Sequence, residues 1–243
     1  MVCSLFFIPD KTMTDNKTSD HENSARAFFG RTKGKRLRTG QEAVLETLLP
    51  ALLYDPAKTL DDNFGHAMQA YHIEIGFGGG EHLLAQARAH PEIGFVGCEP
   101  FINGMAKLLC CIRDEKLNNI RLWQRDAVEL LPVLPENSFS RAYLLYPDPW
   151  PKRRQRKRRF LSDDNLVLLA RILKQNAEFR FATDIDDYAG WGLVRVKRSH
   201  DFTWDAEKAD DWRIPWKGWP GTRYEAKALR EGRPPSYLSF RRC

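Results

Sequence analysis

The sequence predicts an α/β protein of the doubly wound type, a mostly parallel sheet with helices on both faces. Three observations carry that reading. Short apolar runs alternate with helix-period stretches from about residue 70 onward. The first run, Ile73-Glu74-Ile75, leads directly into a glycine turn with Gly76, Gly78 and Gly80. Acidic residues then stand at the ends of successive runs, at Glu99, Asp126 and Asp148.

Taken in order, residues 1–25 are polar and aperiodic and are expected to be a disordered tail, leaving 26–243 as a single domain. Val44, Leu45, Leu48, Leu49 and Leu52 recur at helical spacing between Thr39 and Leu53, so a helix leads into that domain. Strands are predicted at 70–75, 94–98, 120–124, 141–146, 179–183, 201–204 and 237–241. Helices are predicted at 80–89, 104–115, 128–131, 163–173 and 187–195. The Trp- and Pro-rich stretch 210–220 reads as an irregular loop on the sheet edge.

Composition narrows the function classes. Apolar residues make up 42% of the 243 and charged residues 29%, and no run approaches the roughly 18 apolar residues of a membrane span. MVCSLFFIP carries no basic residue before its apolar run and no small-residue cleavage site, so it is not read as a signal peptide. Five cysteines without a C-x-x-C pair fit a reducing cytosol, and six histidines without ligand spacing imply no metal. The net charge of +6 is concentrated: Lys152 to Arg159 holds seven cations and no acid, leaving the rest at −1. A second acid-free cluster (Arg26, Arg31, Lys33, Lys35, Arg36, Arg38) reduces the remainder to −7. An acidic body with two basic patches suits a polyanion.

The glycine turn lets a backbone approach a nucleotide cofactor, because residues without Cβ adopt positive φ freely. A dinucleotide fingerprint would place a third glycine at position 81, where this chain has Glu81. A carboxylate at a helix N-terminus repels pyrophosphate and tolerates a cationic ligand. Glu74, in the strand before the turn, could face an ammonium or sulfonium group. Glu99 lies 19 residues beyond Gly80, placed for two ribose hydroxyls, and Asp126 is placed for an adenine amino group. Pro147 and Pro149 stiffen the backbone around Asp148, and Trp150 beside it suits a heterocycle. An NAD-dependent oxidoreductase, or a non-catalytic RNA-binding module on the same scaffold, are the rival readings.

The segments IEIGFGGGEHL, GCEP, RDA, YPDPWPKRRQRKRR, ATDIDDY and GTRYEAKALREG together resemble the bacterial tRNA (guanine-N7-)-methyltransferase family, across nearly everything from Phe28 to Arg242. The departures are small: Pro151 where histidine is frequent, and Arg223-Tyr224 where Lys-Phe is common. The resemblance implies a Rossmann-like class I fold, seven strands with one antiparallel. It also implies S-adenosyl-L-methionine as methyl donor, tRNA as partner and guanine at position 46 of the variable loop as target. By motif, Glu74, Glu99, Asp126 and Asp148 would contact the cofactor, with Asp148 also catalytic. Lys152, Asp184, Thr222, Arg223, Tyr224 and Glu225 would hold the substrate. Arg154, Gln155, Arg156, Lys157, Arg158 and Arg159 would lie on the RNA.

Guanine N7 carries a lone pair and no proton, so attack on a sulfonium methyl needs no base to unmask it. Positive charge moves onto the ring, and a carboxylate accepting from N1–H would strengthen as it does. Asp148, Asp184 and Glu225 are the candidates. The basic run, with seven like charges in eight residues, is expected to be a mobile loop without RNA.

Overall fold

The computed structural model describes residues 30–243; the tail expected over 1–25, and Arg26, lie outside the described residues. The chain enters through α1 (Thr39–Thr47), α2 (Leu49–Leu52) and α3 (Leu60–Phe64). Pro50, in the first turn of α2, divides the single helix expected over 39–53 into two. The βα alternation then runs β1 (Ala70–Ile75), α4 (Glu81–Ala89), β2 (Ile93–Cys98), α5 (Ile102–Glu115), β3 (Ile120–Trp123), α6 (Ala127–Leu130) and β4 (Phe139–Leu145). It continues with α7 (Asp163–Ile172), β5 (Leu173–Thr183), α8 (Asp186–Arg198), β6 (Phe202–Trp204), α9 (Asp210–Arg213), α10 (Arg223–Arg230) and β7 (Ser236–Arg242).

All seven predicted strands pair into one sheet in the order β3-β2-β1-β4-β5-β7-β6. β7 alone runs against its neighbours, antiparallel to both β5 and β6. Strand order reverses beside β1, which pairs parallel with β2 on one side and β4 on the other. In open sheets of this kind, ligands bind at that switch point, outside the carboxyl ends of the strands.

Side-chain alternation distributes β1 between the two faces. Ile73 and Ile75 enter the apolar layer beneath α3, α6, α7 and α8. The opposite layer joins Leu83, Leu84, Phe95, Met105 and Leu108 under α1, α2, α4 and α5. A third cluster, Tyr143, Leu145, Ala182 and Tyr237, is covered by Trp216 and Trp219 from the Trp-rich segment. That segment is partly ordered, with α9 inside it.

Two further elements depart from expectation. α10 was not anticipated, although Thr222-x-x-Glu225 is a capping-box signature and both reciprocal bonds are present. The basic run is not an irregular loop: Arg153–Arg158 forms a 3-10 helix.

Candidate active site

Gly76, Gly78 and Gly80 all have positive φ (72°, 57° and 77°), so the turn after β1 takes a path closed to most side chains. The neighbouring α5 exploits the bare backbone. A Cβ at Gly104 would stand 2.0 Å from the Gly78 carbonyl oxygen, and one at Gly78 would meet the Tyr224 ring at 3.1 Å. The glycine turn is thus wedged between α5 and the first residues of α10.

Above it opens a cavity of about 420 Å³, lined by Gly76, Gly78, Glu99, Asp126, Asp148 and Tyr224 among others, with Arg31 and Arg158 also on its wall. Glu99 accepts from Gly78 N–H at 2.6 Å through Oε2 and from Phe101 N–H at 2.9 Å through Oε1. Burial raises its carboxyl pKa, and those two amides oppose the shift. Asp126 caps α6, accepting from Val128 N–H at 3.1 Å. Asp148 is exposed at the cavity mouth, yet the walls desolvate its carboxyl enough to raise its pKa. Tyr146 and Trp150, on either side of Pro147-Asp148-Pro149, both hold positive φ (49° and 42°). Non-glycine residues in that region cost on the order of 1–3 kcal/mol each and cluster at functional sites.

The other anticipated residues separate into distinct settings. Glu74 does not line the cavity: its Oε2 lies 2.6 Å from Nδ1 of His82 on the face opposite Ile73 and Ile75. The ring of His82 in turn packs against Tyr143 and Trp219, at centroid separations of 4.5 and 5.2 Å. Asp184 accepts from Arg233 Nε at 2.7 Å. Glu225 is buried, accepting from Trp219 Nε1 at 2.8 Å, from Thr222 N–H at 3.2 Å and from the Tyr237 hydroxyl. Of the three carboxylates considered for guanine, only Asp148 lines the cavity. Thr222 is the N-cap of α10, accepting from Glu225 N–H at 3.1 Å, and Arg223 stacks 5.0 Å from the Tyr224 ring centroid.

In the basic run, Lys152, Arg153, Arg154 and Lys157 are exposed, while Gln155 is half-buried. Arg156 pairs with Asp187 at 2.7 Å and Arg158 lies 5.0 Å over the Trp150 ring. Arg159 is set apart from the rest of the run: it is 1% exposed and points into the protein. His82, Trp219 and Arg31 were not singled out as site residues. His82 had a sequence signal, since it stands two positions after the glycine turn in the helix beneath it.

This arrangement, a seven-stranded sheet with one antiparallel strand and a glycine turn facing strand-end acids, is that of a class I methyltransferase, whose methyl donor is S-adenosyl-L-methionine. The lining fits that donor, with a buried carboxylate at Glu99, a bare Gly78 backbone and a second carboxylate at Asp126 in one cavity. A sequence profile of the family described as "Putative methyltransferase" matches residues 68–237. A tRNA (guanine-N(7)-)-methyltransferase of Chelativorans sp. (strain BNC1) is 53% identical over 90% of this chain and 96% of its own. One of the same name from Bradyrhizobium diazoefficiens is 51% identical over 95% of this chain and 100% of its own. The chain belongs to the tRNA (guanine-N(7)-)-methyltransferase family. Among solved structures, the aminoglycoside resistance methyltransferase NpmB1 has the same fold, with a TM-score of 0.54 at 15% identity over 76% of this chain and 95% of that one.

Proposed function

We propose that the protein, as a single domain over residues 26–243, transfers a methyl group from S-adenosyl-L-methionine to N7 of guanine in tRNA, at position 46 of the variable loop. The observation that carries this reading is the convergence of Glu99, Asp126, Asp148 and Tyr224 on one cavity whose mouth is flanked by two basic segments. Arg31, Lys33, Lys35, Arg36 and Arg38 are exposed on one of them and Lys152, Arg153, Arg154 and Lys157 on the other. Position 46 rests on the family resemblance.

When bound, the donor supplies an electrophilic sulfonium methyl. The residues of this chain bind and align. Glu99 takes the ribose hydroxyls while ordering the glycine turn, and Asp126 receives the adenine amino group. Asp148, rigid between two prolines, lies where charge develops on guanine, and accepts a hydrogen bond that strengthens as the ring becomes cationic. Most of the rate comes from holding N7, methyl and sulfur in line. The exposed cations of both basic segments take phosphates, which makes affinity fall with salt. Lys152 lies next to the Asp148 turn, and of Thr222, Arg223, Tyr224 and Glu225 it is Tyr224 that lines the cavity and faces the substrate.

A cytosolic location fits the cysteine usage of the chain, five residues without a C-x-x-C pair. No helix of the described residues is long and apolar enough to cross a membrane. The oxidoreductase alternative has against it the family membership and Glu81, which sits at the first helical position of α4 and is paired with Lys107 at 2.7 Å. Against a non-catalytic RNA module stands the retained set of cavity acids.

The test is transfer of labelled methyl to unmodified tRNA transcripts carrying G46 or A46, with nucleoside analysis of the product. N7-methylguanosine from the first and none from the second is expected. Equal labelling of both would move the target to another guanine, and no labelling would remove the reading.

A further inference from the structure

Arg159 closes the basic run in sequence but not in space. Its guanidinium is 0% exposed, and a cation is buried only where hydrogen bonds and a counter-charge compensate the lost water. Both are present, with two aromatic rings beside them. Nε donates to the Pro149 carbonyl oxygen at 2.7 Å, and Nη2 donates to Asp187 Oδ2. The planar group lies 4.8 Å from the Tyr188 ring centroid and 5.0 Å from that of Trp191. Asp187 stands in the first turn of α8, and its other oxygen receives Arg156 at 2.7 Å.

We propose that Arg159 is a positioning residue of the methyl-transfer site, acting on Asp148 through the Pro149 carbonyl, and that it is not a phosphate contact. The proposal rests on the reading above that Asp148 works at the reacting guanine. Pro149 is the residue directly after Asp148 and precedes Trp150, whose φ is +42°. A strained turn persists only where its surroundings over-determine it. The Arg159 fork ties that turn to α8, an element rooted in the core by Tyr188 and Val196. The same anchor explains why seven like charges do not splay into a loop: Asp187 pairs with two of the run's arginines from beneath, offsetting one of the charges, and the exposed cations lie on a 3-10 helix.

The test compares Arg159→Met with Arg159→Lys in the full chain. Adenosylmethionine titration at one site per molecule certifies that each is folded. Arg159→Met is expected to lower kcat at saturating tRNA by about ten- to a hundredfold, the range a small misplacement near the chemistry produces. The KM for tRNA and the log–log salt slope should stay as in the wild type. A slope smaller by roughly 0.7–0.9, the share of one phosphate, would make Arg159 an RNA contact and overturn the proposal. Arg159→Lys keeps the charge and loses the planar fork. A phosphate contact survives that change, whereas a positioning role does not, so wild-type kcat in Arg159→Lys would also overturn it. Should Arg159→Met lose cofactor stoichiometry, Arg159→Lys alone decides. An Arg154→Ala/Lys157→Ala variant serves as the separate control. If its salt slope is unchanged, the run's proposed RNA role fails and the Arg159 result stands independently.

Discussion

Glu74 and His82 form a buried pair, with Oε2 and Nδ1 2.6 Å apart and side chains 3% and 2% exposed. β1 presents the carboxylate and the helix after the glycine turn presents the imidazole, so the contact staples the two sides of the turn together. Removing one partner strands the other in an apolar layer, at a cost of about 1–3 kcal/mol. Glu74→Leu should therefore lower the stability of the fold by that amount in chemical denaturation. Adenosylmethionine affinity of the folded fraction should change less than about threefold; a larger loss would mean that Glu74 reaches the cofactor itself.

Glu99 has two duties, since the same carboxylate that faces the cavity accepts from the Gly78 and Phe101 amides. Glu99→Ala leaves both amides without their acceptor and, on the proposed cofactor placement, the ribose hydroxyls as well. Calorimetry should show cofactor binding weaker by about 1.5–3 kcal/mol. An unchanged dissociation constant would place the ribose elsewhere.

Asp148→Asn keeps the side chain's size and one acceptor and removes its charge. Turnover should fall by an order of magnitude more than cofactor affinity does. Because its carboxyl pKa is raised in the cavity mouth, the acid limb of the wild-type rate profile should lie above the ordinary aspartate value of about 3.9. Equal losses of affinity and turnover would leave Asp148 as a cofactor ligand alone.

His72 gives the fold an acid sensitivity independent of the reaction. It is buried on β1 between Phe95 and Tyr143, and burial, followed by the nearby Arg141, lowers its pKa from 6.5 to about 3. Between those values the unfolded chain binds a proton that the folded chain refuses, so stability falls as pH drops from 6.5 toward 3. His72→Phe should flatten the dependence of unfolding free energy on pH in that window by one proton. An identical slope in the variant would show that other groups carry the acid transition.

Much of this protein is legible in order of residues. The two-period alternation placed every strand, the glycine turn marked the switch point, and Asp148 between two prolines marked the cavity mouth. α10 was legible too, in Thr222-x-x-Glu225, but it is short and mostly polar, and only Glu225 and Ala228 of it are buried, so few large apolar residues mark it in the sequence. A strand-end acid is visible in sequence because the βα repeat dictates where strands end.

What a side chain faces was decided elsewhere. Glu74 and Glu99 stand at the ends of adjacent parallel strands, yet one is committed to His82 and the other opens on the cavity. Glu225 is taken up by Trp219 and Tyr237, and Arg159 by Pro149 and Asp187. Position along the chain determines backbone path and charge. A buried carboxylate or guanidinium must be satisfied by donors and acceptors brought from other elements, and only the packed tertiary structure selects which of them arrive.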